Sequence, residues 1–442
     1  MNEGRTSYES KKSGTKLYMR FNHKIISDTL SSGDTLVTIV APEIAIASIG
    51  IFFEAGARFD PIGKEGLAHM FEHLLTKETE KFHHQIDRLR AIESLGIYAN
   101  AFTGYETAFY YHLQPTDQIT PSLELLLDGV FGSTVSEAML NKERAIILEE
   151  ESRNRQDPFA YMWRLSHQAL WSSDTLGRDL MGSSDSLKSI SIEDVQAFKK
   201  KYYDSAPVTF VLISDKYSDL PKTIIDRYRQ QQKADVHKIQ RRVSVINTNP
   251  TALQFKADHR DTESVTIGVH FKTAEAESLD VIGLDLLVHI LANHWVSILN
   301  QKLRLENDIT YWVEGSSIYY SDSGSLSLMF SCQKDKSSRA ISLVSQAVKQ
   351  LRDSLIDDEL LNTYKQAMLG DTLRRFTNPF ACLEWYGSET YKKTILSIAD
   401  YCHQIEKITA QEVQTIAIKY LQKESSAVTS IGPTDDTLNL DI

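Results

Sequence analysis

SIEDVQAFKKKYY, residues 191–203, returns 218 positions later as TAQEVQTIAIKYL, residues 409–421, with the Val-Gln pair and the later Lys-Tyr pair kept in place. The same shift lays SIGIFFEAG, residues 48–56, on TIGVHFKTA, residues 266–274. Two separated matches at one offset mark a duplication. The chain therefore reads as two homologous domains, residues 17–225 and 245–442, joined by a connector over 226–244 that opens with the polar, charge-rich run DRYRQQQKADVHKIQRR. Within each half, β-rich apolar runs such as TLVTIVAP and ASIGIFFEAG precede helical patterns, and further strand-like runs such as TAFYYHL and VTFVLIS follow. The helices fall in long pieces between groups of strands, without a regular βαβα alternation. That order favours an α+β fold, two homologous domains each made of a sheet covered by helices, over a doubly wound sheet.

A length of 442 residues exceeds what one hydrophobic core supports. At 42% hydrophobic and 24% charged residues, the composition is that of a globular protein. No apolar run reaches the ~20 residues of a membrane-spanning helix. The net charge of −11 repels phosphate backbones, so neither a membrane nor a nucleic-acid partner is expected. The opening residues lack an apolar signal core and carry acidic side chains. Three widely spaced cysteines, Cys332, Cys382 and Cys402, indicate neither a disulfide framework nor a cysteine metal site. A cytoplasmic location is the expectation.

The chemistry is concentrated in EGLAHMFEHLLTK, residues 65–77. On a helix His69, Glu72 and His73 share one face, while Leu67, Met70, Phe71, Leu74 and Leu75 take the opposite arc. Neutral imidazoles at i and i+4 suit a tetrahedral zinc ion, and a carboxylate one residue away can take a proton from an attacking water. A polar helix face gives the same five residues by accident often enough that this pattern does not stand alone. A third ligand is sought in SEAMLNKERAIILEEESRNRQ, residues 136–156, where Glu143, Glu149, Glu150 and Glu151 are available. Periodicity sets Glu143 and Glu150 inside the apolar arc with Met139, Leu140, Ile146 and Ile147, and leaves Glu149 outside. Two inward carboxylates call for a cation or a histidine nearby. Glu150 is the preferred ligand, and a solvated glutamate run remains the reading for Glu149 and an option for Glu151.

The duplication supplies a control. Shifted by 218, His69, Glu72, His73 and Glu150 become Leu287, Ile290, Leu291 and Met368, and Glu143 becomes Leu361. One metal ion per chain, in the first half, is expected. His289, alone on the matching apolar helix, reads as a satisfied core histidine.

At this point GARFDPIGKEGLAHMFEHLLTKETEKF, residues 56–82, resembles the active-site region of the pitrilysin, insulysin and mitochondrial-processing-peptidase family. The resemblance extends over nearly the whole chain. It implies Glu72 as the general base, zinc on His69, His73 and Glu150, and Glu143 behind the ligands. IESLGIYANAFTGYETAFYYHL, residues 92–113, is similar to the family's edge strand, implying that Asn100, Ala101 and Thr103 pair with an extended peptide substrate. LRLENDITY, residues 303–311, is similar to a segment whose Arg and Tyr, here Arg304 and Tyr311, reach the substrate and the tetrahedral intermediate; the family's glycine is Asp308 here. The resemblance further implies paired chains closing like the halves of a clamshell around a chamber, in which short or unfolded peptides are cut. A homodimer is expected, since one chain carries both the metal residues and the Arg/Tyr pair. The alternatives are the catalytic member of a heterodimeric processing peptidase and a non-catalytic scaffold subunit of the same fold.

Overall fold

A computed structural model describes residues 21, 23–231, 253–392, 394–433 and 438–442. The first half contributes strands β1 (Lys24–Thr29), β2 (Thr35–Val40), β3 (Ile46–Phe53), β4 (Tyr98–Thr103), β5 (Ala108–Pro115) and β6 (Thr209–Ser214). Its helices are α1 (Leu67–Leu74), α2 (Gln85–Ser94), α3 (Ile119–Phe131), α4 (Glu137–Gln156), α5 (Pro158–Leu170), α6 (Ser184–Ser189), α7 (Ile192–Lys199) and α8 (Leu220–Gln231). The second half contributes β7 (Gln254–His259), β8 (Ser264–Thr273), β9 (Val313–Tyr319), β10 (Gly324–Gln333) and β11 (Ser426–Gly432). Its helices are α9 (Val281–Leu291), α10 (Ser337–Asp353), α11 (Asp358–Arg375), α12 (Pro379–Glu389), α13 (Ile398–Lys407) and α14 (Ala410–Tyr420).

Six strands form one sheet in the order β1-β2-β6-β3-β5-β4, and five form another in the order β7-β11-β8-β10-β9. Both are antiparallel except for one parallel pair each, β2 with β6 and β7 with β11. The fold is α+β, and the 218-residue offset persists in its hydrogen bonding. Ser48 pairs with Leu113 and Ile213, and Thr266 pairs with Ser331 and Ile431, the residues 218 further on. At the edge strand the correspondence slips by four residues. Asn100 opposes Tyr111, but the shifted partner Met329 opposes Glu314 rather than Ile318.

Alternation along β3 divides the first core. Ile49, Ile51 and Phe53 point toward α1, α3 and α7, where Phe71, Leu126 and Phe198 receive them. Phe52 points the other way, with Phe109, Tyr111, Val211 and Ile213, and is covered by Leu383 and Tyr386 of α12, a helix of the second half. Glycine permits that approach: a Cβ on Gly387 would lie 2.1 Å from the Phe52 ring. The exchange is mutual. Met162 and Leu165 of α5 cover Met329 and Ile431 of the second sheet. Buried Arg58 also crosses between halves, donating to both oxygens of Asp322 at 2.8 and 2.9 Å and to Glu106 at 2.7 Å.

The head of the connector is helical. Residues 226–231, the first of the connector, continue α8, and Arg229 there is fully buried in an ion pair with Asp34 at 2.7 Å while Asp226 accepts from Ser31. The rest of the connector, 232–244, lies outside the described residues. Among the described residues no helix is long and apolar enough to cross a membrane, and all three cysteines are free and buried.

Candidate metal centre

Helix α1 starts abruptly. Gly66 at its head has φ +91°, and a Cβ there would meet the Met181 carbonyl at 2.7 Å, so only glycine fits comfortably. Asp60 takes over the role of cap, accepting from the Gly66 and Ala68 N–H groups at 2.8 Å each. Burial pushes the Asp60 carboxyl up to about 8, while the backbone donors pull it the other way. The helix thus held buries Leu67, Met70, Phe71 and Leu74 and turns His69, Glu72 and His73 toward α4 and β4.

From α4, Glu150 reaches the two imidazoles. Its Oε2 lies 3.4 Å from His73 Nε2 and 4.0 Å from His69 Nε2. Glu143, one heptad earlier and buried, sits 3.4 Å from His73 Nδ1 and 3.5 Å from Lys77 Nζ. Glu143 and Glu150 thus face the two nitrogens of the His73 ring, and an Nδ1–H held by Glu143 is the tautomer in which Nε2 can take a metal. Four bonds of a tetrahedral zinc site set neighbouring ligand atoms ~3.4 Å apart, and the ligand atoms of His69, His73 and Glu150 all lie within 4.8 Å of one another. His69 is buried with no partner at Nδ1, and its Nε2 is too far from Glu150 for a hydrogen bond. A buried imidazole in that position is costly unless a cation completes it, so the residues present fit a metal.

Burial and the surrounding carboxylates pull the two imidazoles in opposite directions. Burial, and then the neighbouring His73, lower His69 to about 4, leaving it neutral. Burial opposes charge on His73, but its hydrogen bond to Glu150 and the surrounding carboxylates outweigh that and move it up. Glu150 is held below the usual carboxylate range by the His73 hydrogen bond. Burial raises Glu72, whose Oε2 accepts a short hydrogen bond from the Thr103 hydroxyl. Glu149 and Glu151 stand apart: the former is exposed beside Arg153, and the latter pairs with Arg164 at 2.8 Å. The apolar arc of α4 runs through Leu140, Glu143 and Ile147, while Ile146, expected at its edge, is 42% exposed because the helix meets α1 along the other residues.

Of the remaining expected residues, Asn100, Ala101 and Thr103 lie on β4, the outermost strand of its sheet, paired only with β5 among the described residues. Thr103 joins that edge directly to Glu72. Arg304 and Tyr311 form a separate cluster. The guanidinium lies 4.4 Å from the Trp295 ring centroid and 4.7 Å from that of Tyr311, which is 80% exposed. Among the described residues no hydrogen bond or ion pair links that cluster to His69, Glu72, His73 or Glu150. Asp308, between the two, has φ +49°, the left-handed region that aspartate tolerates better than most residues in place of glycine.

Residues 35–184 match the family model described as Insulinase (Peptidase family M16), and residues 189–368 match Peptidase M16 inactive domain. The chain belongs to the M16 family. It is 25% identical to an uncharacterized zinc protease of Streptomyces coelicolor, over 92% of this chain and 89% of that one. It is 24% identical to the beta subunit of the mitochondrial-processing peptidase of Dictyostelium discoideum, over 96% and 92% of the two chains. The crystal structure of a protease from Helicobacter pylori superposes with a TM-score of 0.81 at 16% identity, covering 92% of this chain and 99% of that chain. As an M16 member the chain is a metallopeptidase. The second match takes in Leu287, Ile290, Leu291, Leu361 and Met368, all buried and apolar where the first half carries its charges. Sequence reasoning missed the helix cap at Asp60 and the Trp295 platform, and it assigned Thr103 to substrate pairing without its bond to Glu72. The first two were within reach: Asp60 stands just before an otherwise uncapped helix, and Trp295 lies nine residues from Arg304.

Proposed function

We propose that this M16 chain is a zinc-dependent endopeptidase that hydrolyses short or unfolded peptides bound in extended form. The observation that carries the reading is the convergence of His69, His73 and Glu150 with Glu72 beside them. His69 Nε2, His73 Nε2 and a Glu150 oxygen would hold one zinc ion and leave a fourth position open. When bound there, the metal polarises the scissile carbonyl and acidifies water. Glu72, raised by burial, accepts the proton of the attacking water and returns it to the leaving amine. Thr103 orients the Glu72 carboxylate and ties it to β4, so a peptide adding a strand at Asn100–Thr103 is registered against the base through backbone hydrogen bonds, whatever its sequence.

A second copy of the chain completes the site in this reading, the two closing as clamshell halves around a chamber. The exposure of Tyr311 and its separation from Glu72 support this, since Tyr311 and Arg304 can then serve the oxyanion of the partner's site. The resemblance to a processing-peptidase beta subunit supports an alternative, the catalytic member of an unequal pair. A cytoplasmic, reducing location is supported by the three free, buried cysteines.

The test is digestion of a peptide library by the purified chain. Cleavage abolished by chelator and restored by zinc is expected, along with weakened zinc binding in Glu150→Gln but not Glu149→Gln. Cleavage that survives complete removal of metal overturns the proposal. Native mass measurement of the active species separates two identical chains from a mixed pair.

A further inference from the structure

The second half, expected to be without metal chemistry, carries a cluster of its own. His289 stands in the last turn of α9, His294 follows in the loop, and Asp371 comes from α11. His289 Nδ1 and His294 Nε2 are 2.7 Å apart. Asp371 Oδ2 lies 3.3 Å from His294 Nε2 and 3.7 Å from His289 Nδ1. These three atoms fall within 4.8 Å of one another, the same criterion the catalytic residues meet. His289 is satisfied, as the sequence suggested, but its partner is His294, and it is half-buried in a polar cluster that opens on a cavity.

The two helices are the counterparts of those that build the first site, since shifting α1 and α4 by 218 reaches α9 and α11. The face is different. The positions equivalent to His69, His73 and Glu150 are buried Leu287, Leu291 and Met368, whereas His289 and Asp371 correspond to Phe71 and Arg153. The cluster is thus no remnant of the catalytic set. His289, Asp371 and the adjacent Asn293 line a cavity of about 1590 Å³ between the halves, which none of His69, Glu72, His73 and Glu150 lines. That cavity supplies an entry path for an ion.

We infer that His289, His294 and Asp371 form a second binding site for a divalent first-row transition ion, with zinc the best fit to two imidazoles and one carboxylate. The ligands are ready for it. Arg374 occupies Asp371 Oδ1 and leaves Oδ2 turned toward the imidazoles. Burial, then His294, brings His289 down to about 4, and burial, then Arg374, lowers His294, so both rings are neutral donors at neutral pH. In the metal-free protein the two rings share one proton. Metal binding moves that proton to the other nitrogen of the ring that carried it, a change of tautomer with both rings still neutral, and requires the facing nitrogens to part from 2.7 Å to ~3.4 Å, a small side-chain adjustment at partly exposed residues. With an open fourth position on the cavity the ion is exchangeable, and because the two imidazoles must first give up their 2.7 Å contact it is held more weakly than at the catalytic set.

The experiment is zinc uptake by the chelator-stripped, full-length chain, measured by equilibrium dialysis and metal analysis, with Zn²⁺ alone as the probe. Two equivalents per chain are expected. Asp371→Asn, an isosteric change at a partly exposed residue, and His294→Gln should each weaken the second equivalent by on the order of 100-fold or more and leave the first intact. His73→Ala should do the reverse, and cobalt added to that variant should give a tetrahedral visible spectrum that Asp371→Asn removes. Saturation of the wild-type chain at one equivalent overturns the inference, as does a second equivalent that survives both Asp371→Asn and His294→Gln. The catalytic assignment fails separately, by His73→Ala retaining both equivalents.

Discussion

Helices α1 and α4 of the first half and α9 and α11 of the second occupy equivalent places around equivalent sheets, yet one pair joins through His69, His73, Glu143 and Glu150 and the other through Leu287, Leu291, Leu361 and Met368. The frame is indifferent to the substitution. Both pairs pack, and both sheets keep the same register at their centres, so the charged set is not needed to build the fold. What it requires is partners, since four ionisable groups between two helices are stable only when paired or metal-bound.

The comparison can be broken in four ways. The largest effect is expected from Glu72→Gln, which keeps the shape of the base and its contact with Thr103 but cannot take a proton: kcat should fall about 10⁴-fold with zinc content unchanged. A variant that stays active places the base elsewhere. Next, Met368→Glu puts the first half's carboxylate into the second half without its histidines. An unpaired buried charge there should cost about 3–5 kcal/mol of stability, read as a shift of the urea midpoint, and an unshifted midpoint would mean that the apolar contact carries no weight. Third, Tyr311→Phe should lower kcat/KM about 10²-fold without releasing zinc; a neutral result assigns Tyr311 only to its stack with Arg304. Smallest, Glu143→Gln should weaken zinc about 10-fold through the lost partner of His73 Nδ1, and a variant that binds zinc as tightly as wild type removes Glu143 from the site.

Much of this was legible in the chain. The repeat could be read because β3 and β8 are central strands, buried on both faces, where register tolerates no slip; β4 and β9, each the last strand of its sheet among the described residues, have drifted by four residues. His69, Glu72 and His73 lie within one helical turn and a half, so local periodicity finds them. Glu150 was reached by the same rule, although the rule also took in Ile146, which faces solvent. Contacts across the chain were not legible in this way. The Thr103–Glu72 bond joins a strand end to a helix 31 residues away. His289 and His294 straddle the end of a helix, so no period relates them, and Asp371 arrives from a different helix. The buried Arg229–Asp34 pair at the head of the connector was not legible either, because Asp34 lies 195 residues away in the chain.

The exchange of α5 and α12 between the halves bears on how the polypeptide is made. When the first repeat leaves the ribosome, Val37, Ile39, Phe52, Phe109, Tyr111, Val211 and Ile213 have nothing to cover them until Leu383 and Tyr386 are synthesised. Contacts so distant along the chain fold slowly, and the sheet waits with an apolar face bare. Neither repeat is therefore a self-sufficient ancestor preserved inside the modern chain. A fragment ending at Gln231 would be an aggregation-prone intermediate instead of a miniature enzyme, and the two repeats must be treated in expression, in engineering and in descent as a single unit of inheritance.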